Sequence, residues 1–334
     1  MQDMHERGYV IVTDTIPADG QCDVSDAIQK LIDDNPNRTI YFPDGLYRLD
    51  KPICTPAHPQ KSVDLRLSNY AVLQAGEHWD SGEAMVRLGA IHPANDIRTI
   101  GSNYSFSGGI VDGAGRARGI SIDGGRETAV HNVSIKHTTV GIHIKRGANS
   151  GSSDADITQV NIVGTGDPAS VGVLLEGYDN TLTNMRIANV FIGVKLCSSG
   201  NCLRNIHPLY TSDYTDYVNS CGFWDFAGNN WYDYAYSDQF AIGFRTSNSI
   251  SSTYNSCFCF WYSPREKTHT GFHADGKFNS VVMNYRMGFN GTDAYNRVLY
   301  TDEEGGRGVF NNLSFDESKV TDRTHLAYLE GKIL

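Results

Sequence analysis

The sequence predicts an all-β chain wound as a parallel solenoid, and two observations carry that prediction. A polar residue followed by alternating apolar positions returns eight times between Arg126 and Phe315: at Asn132, Gln159, Asn184, Asn205, Asp233, Asn255, Asn284 and Asn312, at intervals of 21–29 residues. That interval is the length of one solenoid coil. A second mark, a glycine opening an alternating apolar run, falls in the gaps at Gly141, Gly172, Gly193, Gly222, Gly243 and Gly271. Two short strands per coil, with no helical periodicity between them, leave parallel stacking of strands as the reading. Thirty-four glycines agree with it.

The repeat fills more than half of the 334 residues. Coils stack only on their neighbours, so one elongated domain over 1–334 is expected, with a cap and first strands over 1–55, coils over 97–315 and a finish over 316–334. The net charge of −10 excludes a general nucleic-acid binder but leaves a local basic stripe open. No run approaches the ~18–20 apolar residues of a membrane helix, so no membrane partner is expected. The beginning of the chain lacks a basic-then-apolar signal segment, which reads as a cytoplasmic protein. Seven cysteines at scattered positions make an odd count, unlike a fully paired secreted scaffold. Cys197 with Cys202 and Cys257 with Cys259 lack partners at zinc spacing, so core thiols are expected and no metal site.

Taken in order, the chain opens differently from its repeat. In Val24-Ser-Asp-Ala-Ile-Gln-Lys-Leu-Ile-Asp-Asp, the residues Ala27, Ile28, Leu31 and Ile32 share one helical face. Asp23 or Ser25 is placed to cap its start. Thr39-Ile-Tyr-Phe-Pro-Asp-Gly-Leu-Tyr-Arg-Leu then reads as strand, turn and strand. A helix at the open end of a solenoid covers unpaired backbone. This opening, DGQCDVSDAIQKLIDD followed by RTIYFPDGLYRLDKPI, resembles that of pectate-lyase-like proteins, closely over about fifty residues. The resemblance implies a single-stranded right-handed parallel β-helix with an N-terminal capping helix, and an Asn ladder stacked inside one bend. It spans lyases, hydrolases, esterases, epimerases and phage tailspikes, so it constrains chemistry weakly. Gly108-Gly-Ile-Val-Asp-Gly-Ala-Gly looks like a turn of the early coils; no Lys-Ser/Thr follows it as a phosphate loop would require.

Alternate side chains of a strand face opposite ways, and successive coils lie ~4.8 Å apart. Counting two residues from each glycine gives one outward column: His143, Leu174, Lys195, Trp224, Arg245 and His273. Keeping the same gap to Asn312 puts Asp302 next in that column. Lys195, Arg245 and His273 are the candidate catalytic residues of the column, with Trp224 and His143 binding substrate. An indole stacks on a sugar ring, two cations hold a carboxylate or sulfate, and an imidazole moves a proton. Four residues from each glycine come Lys145, Glu176, Cys197, Ser247 and Asp275; Glu176 and Asp275 are taken as substrate-binding. Those two lie ~19 Å apart by strand spacing, too far to be a hydrolytic pair. Asp225 and Asp238 are further candidate carboxylates beside the aromatic-rich stretch 209–262, and Trp261 and Lys267 are candidates for the rim of a groove. A column two beyond each ladder residue (Ser134, Asn161, Arg186, His207, Ala235, Cys257, Arg286) reads as plain surface.

These residues suit a carbohydrate-active enzyme that cleaves a glycosidic bond, with β-elimination at a uronate narrowly ahead: Lys195 and Arg245 neutralise the carboxylate, and His273 or a nearby Tyr takes the α-proton. A glycoside hydrolase or transferase using two of Asp225, Asp238, Asp275 and Asp302 is the alternative, and a non-catalytic glycan-binding or tailspike-type module a third. No organic cofactor is implied, and calcium enters by resemblance only. The capped end disfavours fibre growth and leaves a side-by-side homotrimer open.

Overall fold

The computed structural model describes residues 4–5, 7–56, 61–89, 104–146, 152–211, 217–247, 249–262, 268–292 and 295–334. They fall into two compact units, residues 1–165 with 174–181, and residues 166–173 with 182–334. In both, strands pair in parallel and the architecture is the parallel β-helix that the repeats predict.

In the first unit, the strands Ile53–Cys54, Ala84–Leu88, Arg118–Ile122 and Val140–Ile144 stack in parallel, with Val86, Ile120 and Ile142 in register. A second, bent sheet carries two strands per coil, as in Ala129–His131 followed by Ser134–Thr138. The predicted helix forms over Ser25–Asp34 and buries Ile28 and Ile32; Ala27, expected on that face, is exposed. Asp23 rather than Ser25 supplies the cap, its Oδ1 accepting from Ser25 N at 2.9 Å. Gln29 then does what a neighbouring strand would do. Its Nε2 donates to Cys54 O at 2.9 Å and its Oε1 accepts from Cys54 N at 2.7 Å. Cys54 lies on the terminal strand of its sheet, whose backbone groups would otherwise lack partners.

The second unit repeats the plan. The strands Ile192–Leu196, Cys221–Asp225, Ile242–Thr246, His269–Lys277 and Asn296–Glu303 form what we call the glycine sheet of this unit. The facing bent sheet contains Cys202–Leu209, Trp231–Asp233, Tyr236–Asp238, Phe258–Trp261, Val281–Phe289 and Val309–Ser314. At the last of these strands, Phe310 N donates to Lys332 O and Phe310 O accepts from Leu334 N. The stretch after 315 thus pairs with the last of these strands through Lys332 and Leu334.

The recurrent glycine is explained by how closely the two sheets approach. A Cβ on Gly193 would lie 2.5 Å from Pro208, on Gly222 2.1 Å from Ser237 Oγ, on Gly243 2.1 Å from Cys259 Sγ and on Gly271 2.1 Å from Met287 Sδ. These contacts are with the bent sheet; the carbonyl of the next coil of the same sheet closes in as well, Gly222 O lying 2.4 Å from a Cβ on Gly193 and Gly271 O 2.9 Å from one on Gly243. The ladder residues have a different origin. Asn132, Gln159, Asn184, Asn205, Asn284 and Asn312 take left-handed φ values of 51–59° where the bent sheet turns its corner, a conformation that asparagine accepts more readily than most residues. On two coils the left-handed residue is Tyr234 or Ser256, one place after Asp233 and Asn255. The ladder also lies on the outside of the bend, not inside it as the resemblance implied. Asn255 donates to Asp233, Asn284 to Asn255 and Asn312 to Asn284, at 2.9–3.1 Å. The inward polar column is another one: Asn201, Asn230 and Ser252, all buried and hydrogen-bonded coil to coil.

The close approach at Gly243 gives a direct test. Gly243→Ala should lower stability by about 1–3 kcal/mol through overpacking. Gly82→Ala, where an added methyl meets nothing within 4 Å, should stay within about 0.5 kcal/mol. Equal denaturation midpoints for the two variants would refute close packing as the reason for the glycine.

Candidate functional site

The outward column of the glycine sheet exists in the second unit as the alternation predicts. Lys195 pairs in register with Trp224, Trp224 with Arg245, and Arg245 with His273. The next member is Tyr300, not Asp302. The connection after this strand carries the left-handed glycines Gly305 and Gly306, and the 12 residues from Tyr300 to Asn312 exceed the 9–11 that separate column and ladder in the four preceding coils of this unit. Asp302 instead falls beside Asp275: the ligand-type atoms of His273, Asp275 and Asp302 lie within 4.8 Å of one another.

The centre of the cluster is the Asp275 carboxylate. Arg245 Nε donates to both of its oxygens, at 3.1 and 2.9 Å. Ser247 Oγ donates to Oδ2, and His273 Nε2 lies 3.2 Å from Oδ1. Trp224 is held between two cations, Lys195 Nζ 4.5 Å and Arg245 Cζ 4.4 Å from its ring centroid. They come from the preceding and following coils, so the indole has no free face for a sugar ring, a correction to its expected role. Its Nε1 donates to Ser247 Oγ at 2.7 Å, which joins it to the Asp275 network. Lys195 has no carboxylate partner among the described residues.

Burial depresses the His273 pKa to about 4. Asp275 pulls it back up, while Arg245 and Arg297 push it further down and Asp302 raises it. The imidazole is therefore neutral at ordinary pH. Its edge meets Tyr300, with centroids 4.9 Å apart, and Arg297 Cζ lies 4.1 Å above that same phenol. Tyr300, Arg297 and Ser247 had no assigned role from the sequence. A count of the longer last connection would have been needed to find Tyr300.

Several candidates stand elsewhere. Asp225 is fully buried. It lies in register between Leu196 and Thr246 and faces inward. There it accepts from Gly228 N, Asn230 Nδ2 and Ser252 Oγ at 2.7, 3.1 and 2.6 Å. It is an organiser of the turn, not a free carboxylate. Trp261 is 2 % exposed, donates Nε1 to Phe240 O and stacks on Phe289, so it belongs to the core and not to a rim. Asp238 is on the bent sheet, 3.5 Å from His207 Nε2, and away from the column. Lys267 lies outside the described residues.

In the first unit, His143 is buried and its Nε2 lies 2.8 Å from Glu176 Oε2. Burial lowers its pKa, with Glu176 opposing. His143 does not stand open for a substrate as expected; Glu176, whose side chain is 40% exposed, is its partner. Beside them is an ion cluster that the sequence did not reveal. The buried Asp123 binds Arg87 Nη2 at 2.5 Å and lies 3.4 Å from Lys145 Nζ, and Lys145 also binds Glu83. The Lys145 hydrogen bond holds the Glu83 carboxyl below its usual range. All seven cysteines are free, three of them buried.

The described residues bring one His/Asp/Asp group together that could take a cation. The Arg245 guanidinium already supplies Asp275 with the positive charge such an ion would bring.

The architecture and the stacked outward columns define a parallel β-helix protein. No protein-family model matches the sequence, and no curated protein matches it. Solved structures do share the fold. A tailspike protein mutant of E. coli bacteriophage HK620 in complex with a pentasaccharide is 13% identical, with a TM-score of 0.67, over 95% of this chain and 68% of that one. An endo-xylogalacturonan hydrolase from Aspergillus tubingensis is 14% identical, with a TM-score of 0.60, over 92% and 97%. The Streptococcus pneumoniae surface protein and adhesin PfbA is 12% identical, with a TM-score of 0.58, over 92% and 94%.

A histidine kept neutral by burial makes stability depend on pH. The unfolded chain takes up the His273 proton near 6.5 and the folded one only near 4, so stability is lost as pH falls through that window. His273→Gln should flatten the fall of Tm between pH 6.5 and 4. The same slope in variant and parent would contradict the burial argument.

Proposed function

We propose that this chain is a carbohydrate-active enzyme that hydrolyses a glycosidic bond on the glycine sheet of its second unit. The observation that carries the reading is that an oxygen of Asp275 and an oxygen of Asp302 come within 4.8 Å. That separation suits the ~5–5.5 Å of a retaining pair and is short for the ~6.5–9.5 Å of an inverting one. Asp275, oriented by Arg245 and Ser247, attacks the anomeric carbon. Asp302, which is exposed, gives its proton to the leaving oxygen and later deprotonates the water that releases the sugar. The free Lys195 cation supports an acidic group on the substrate.

Elimination at a uronate, the reaction the sequence narrowly favours, finds less support in this arrangement. It needs a base: His273 has its Nε2 engaged by Asp275 and its Nδ1 buried with no hydrogen-bond partner, which leaves the neighbouring Tyr300 for that role. Arg245 is likewise committed to Asp275. The tailspike complex and the hydrolase have the fold in common with this chain, and the pentasaccharide of one and the activity of the other agree with a glycan as its partner.

Incubation with a panel of neutral and uronate-containing polysaccharides should produce new reducing ends without the ultraviolet absorbance of an unsaturated uronate. Asp302→Asn should slow this by roughly 10²–10⁴-fold, the usual worth of a general acid, and the released sugar should retain its anomeric configuration. Absorbance rising with the reducing ends would establish elimination and overturn the assignment. Full activity in Asp302→Asn would sink it equally.

A further inference from the structure

The bent sheet of the second unit has an outer face that the proposed hydrolysis does not use. Its central column is His207, Tyr236, Phe258 and Arg286, one residue per coil in register. The rings stack: His207 on Tyr236 with centroids 4.1 Å apart, and Tyr236 on Phe258 at 4.8 Å. Arg286 Cζ closes the column 5.5 Å from Phe258. Three clefts lie along this face. One of about 490 Å³ reaches Arg204 and Tyr234, one of about 290 Å³ lies between Tyr234 and Arg286, and one of about 490 Å³ runs from Tyr236 to Tyr262. The first two share Tyr234 and Ser256, and the last two share Tyr236. Through these shared residues the three clefts adjoin along the face, and together they are taken as one groove.

The lining is amphipathic in a particular way. Ring edges of Tyr236, Phe258 and Phe260 make the floor, and Tyr234 and Tyr262, each 67% exposed, stand at its sides. Set among them are polar atoms still without partners. Asp238 Oδ1 and His207 Nε2 are buried and make no hydrogen bond, although the imidazole lies 3.5 Å from the other Asp238 oxygen. Arg286 has no carboxylate partner among the described residues, whereas Arg204 lies 3.4 Å from Asp233. The amide of Asn284 borders the same groove.

We propose that this groove is a second glycan-binding site, and that its ligand is an acidic oligosaccharide. A pyranose offers C–H faces to aromatic rings and hydroxyls to groups such as Asp238, and a carboxylate or sulfate on it is complementary to the unpaired Arg286. A peptide adding a strand would need a sheet edge, and this is a sheet face. The site rests on the reading of this chain as a glycan-handling protein only in the choice of ligand class. It holds the chain of a polymer at a place distinct from the Asp275–Asp302 pair, as an anchoring surface.

The test is calorimetric titration of Asp302→Asn protein, in which cleavage is slowed, with tetragalacturonate and with cellotetraose. The acidic tetramer should bind at least tenfold more tightly than the neutral one. Arg286→Ala and Tyr262→Ala, both at exposed positions, should each weaken it about tenfold or more, with unchanged circular dichroism. Loss of binding in Lys195→Ala but not in Arg286→Ala would put the ligand on the glycine sheet and overturn the proposal. So would equal binding of the two tetramers, or binding of neither. Binding that depends on Arg286 in a protein whose parent cleaves nothing would uphold the groove and refute only the hydrolysis.

Discussion

The distance between the two sheets at the recurrent glycine constrains everything else in the second unit. With an added Cβ only 2.1 Å from Ser237, Cys259 or Met287, a side chain at Gly222, Gly243 or Gly271 would displace those facing side chains; on the last strand, Asn296–Glu303, Val298 takes the same position. On the coils that have it, the glycine marks where the two sheets pack most closely. From that place, strand alternation decides which residues leave the core. Phe223, Phe244 and Phe272 go inward and stack, while Lys195, Trp224, Arg245 and His273 go outward. The functional column is a by-product of core packing, and its composition is free to vary only on the outer side.

Within that column, charge is organised around one carboxylate. Asp275 is held by a guanidinium, a hydroxyl and an imidazole, so both of its oxygens have fixed directions. The indole of Trp224 acts as a spacer that keeps Lys195 and Arg245 apart while attracting both. The two like charges stand two coils apart, about twice the ~4.8 Å strand spacing, with the indole between them. The aromatic residue that looks like a sugar platform in the sequence is, in the folded chain, what allows the cations to stand in one line.

The coil architecture, the capping helix and the outward column from Lys195 to His273 were legible because period-2 alternation counted from a sterically fixed glycine propagates without error over a few residues. Counting from the ladder was less secure. At Asp233 and Asn255 the chain turns one residue later, at Tyr234 and Ser256. That slip placed Ala235 and Cys257 on the surface in the sequence reading, where the folded chain has Tyr236 and Phe258, and it concealed the groove. Asp225 was misjudged for a different reason. An acidic residue in an inward register looks like an error of alternation unless its partners, Gly228, Asn230 and Ser252, are known to converge on it. Contacts of that kind come from the turns of two successive coils and leave no periodic trace. The same holds for Asp302, whose position was decided by the length of a two-glycine connection.

The Gln29 side chain amide, bonded to both the N–H and the C=O of Cys54, has the donor and acceptor geometry of a peptide group. It stands in for the strand that a further coil would have provided. Such an amide ends the hydrogen-bond ladder chemically as well as sterically, and it cannot pass the pairing on. The terminal strand of this sheet is thereby withdrawn as a template for another copy of the chain. A residue at position 29 that could not imitate a peptide would leave that ladder open to self-association.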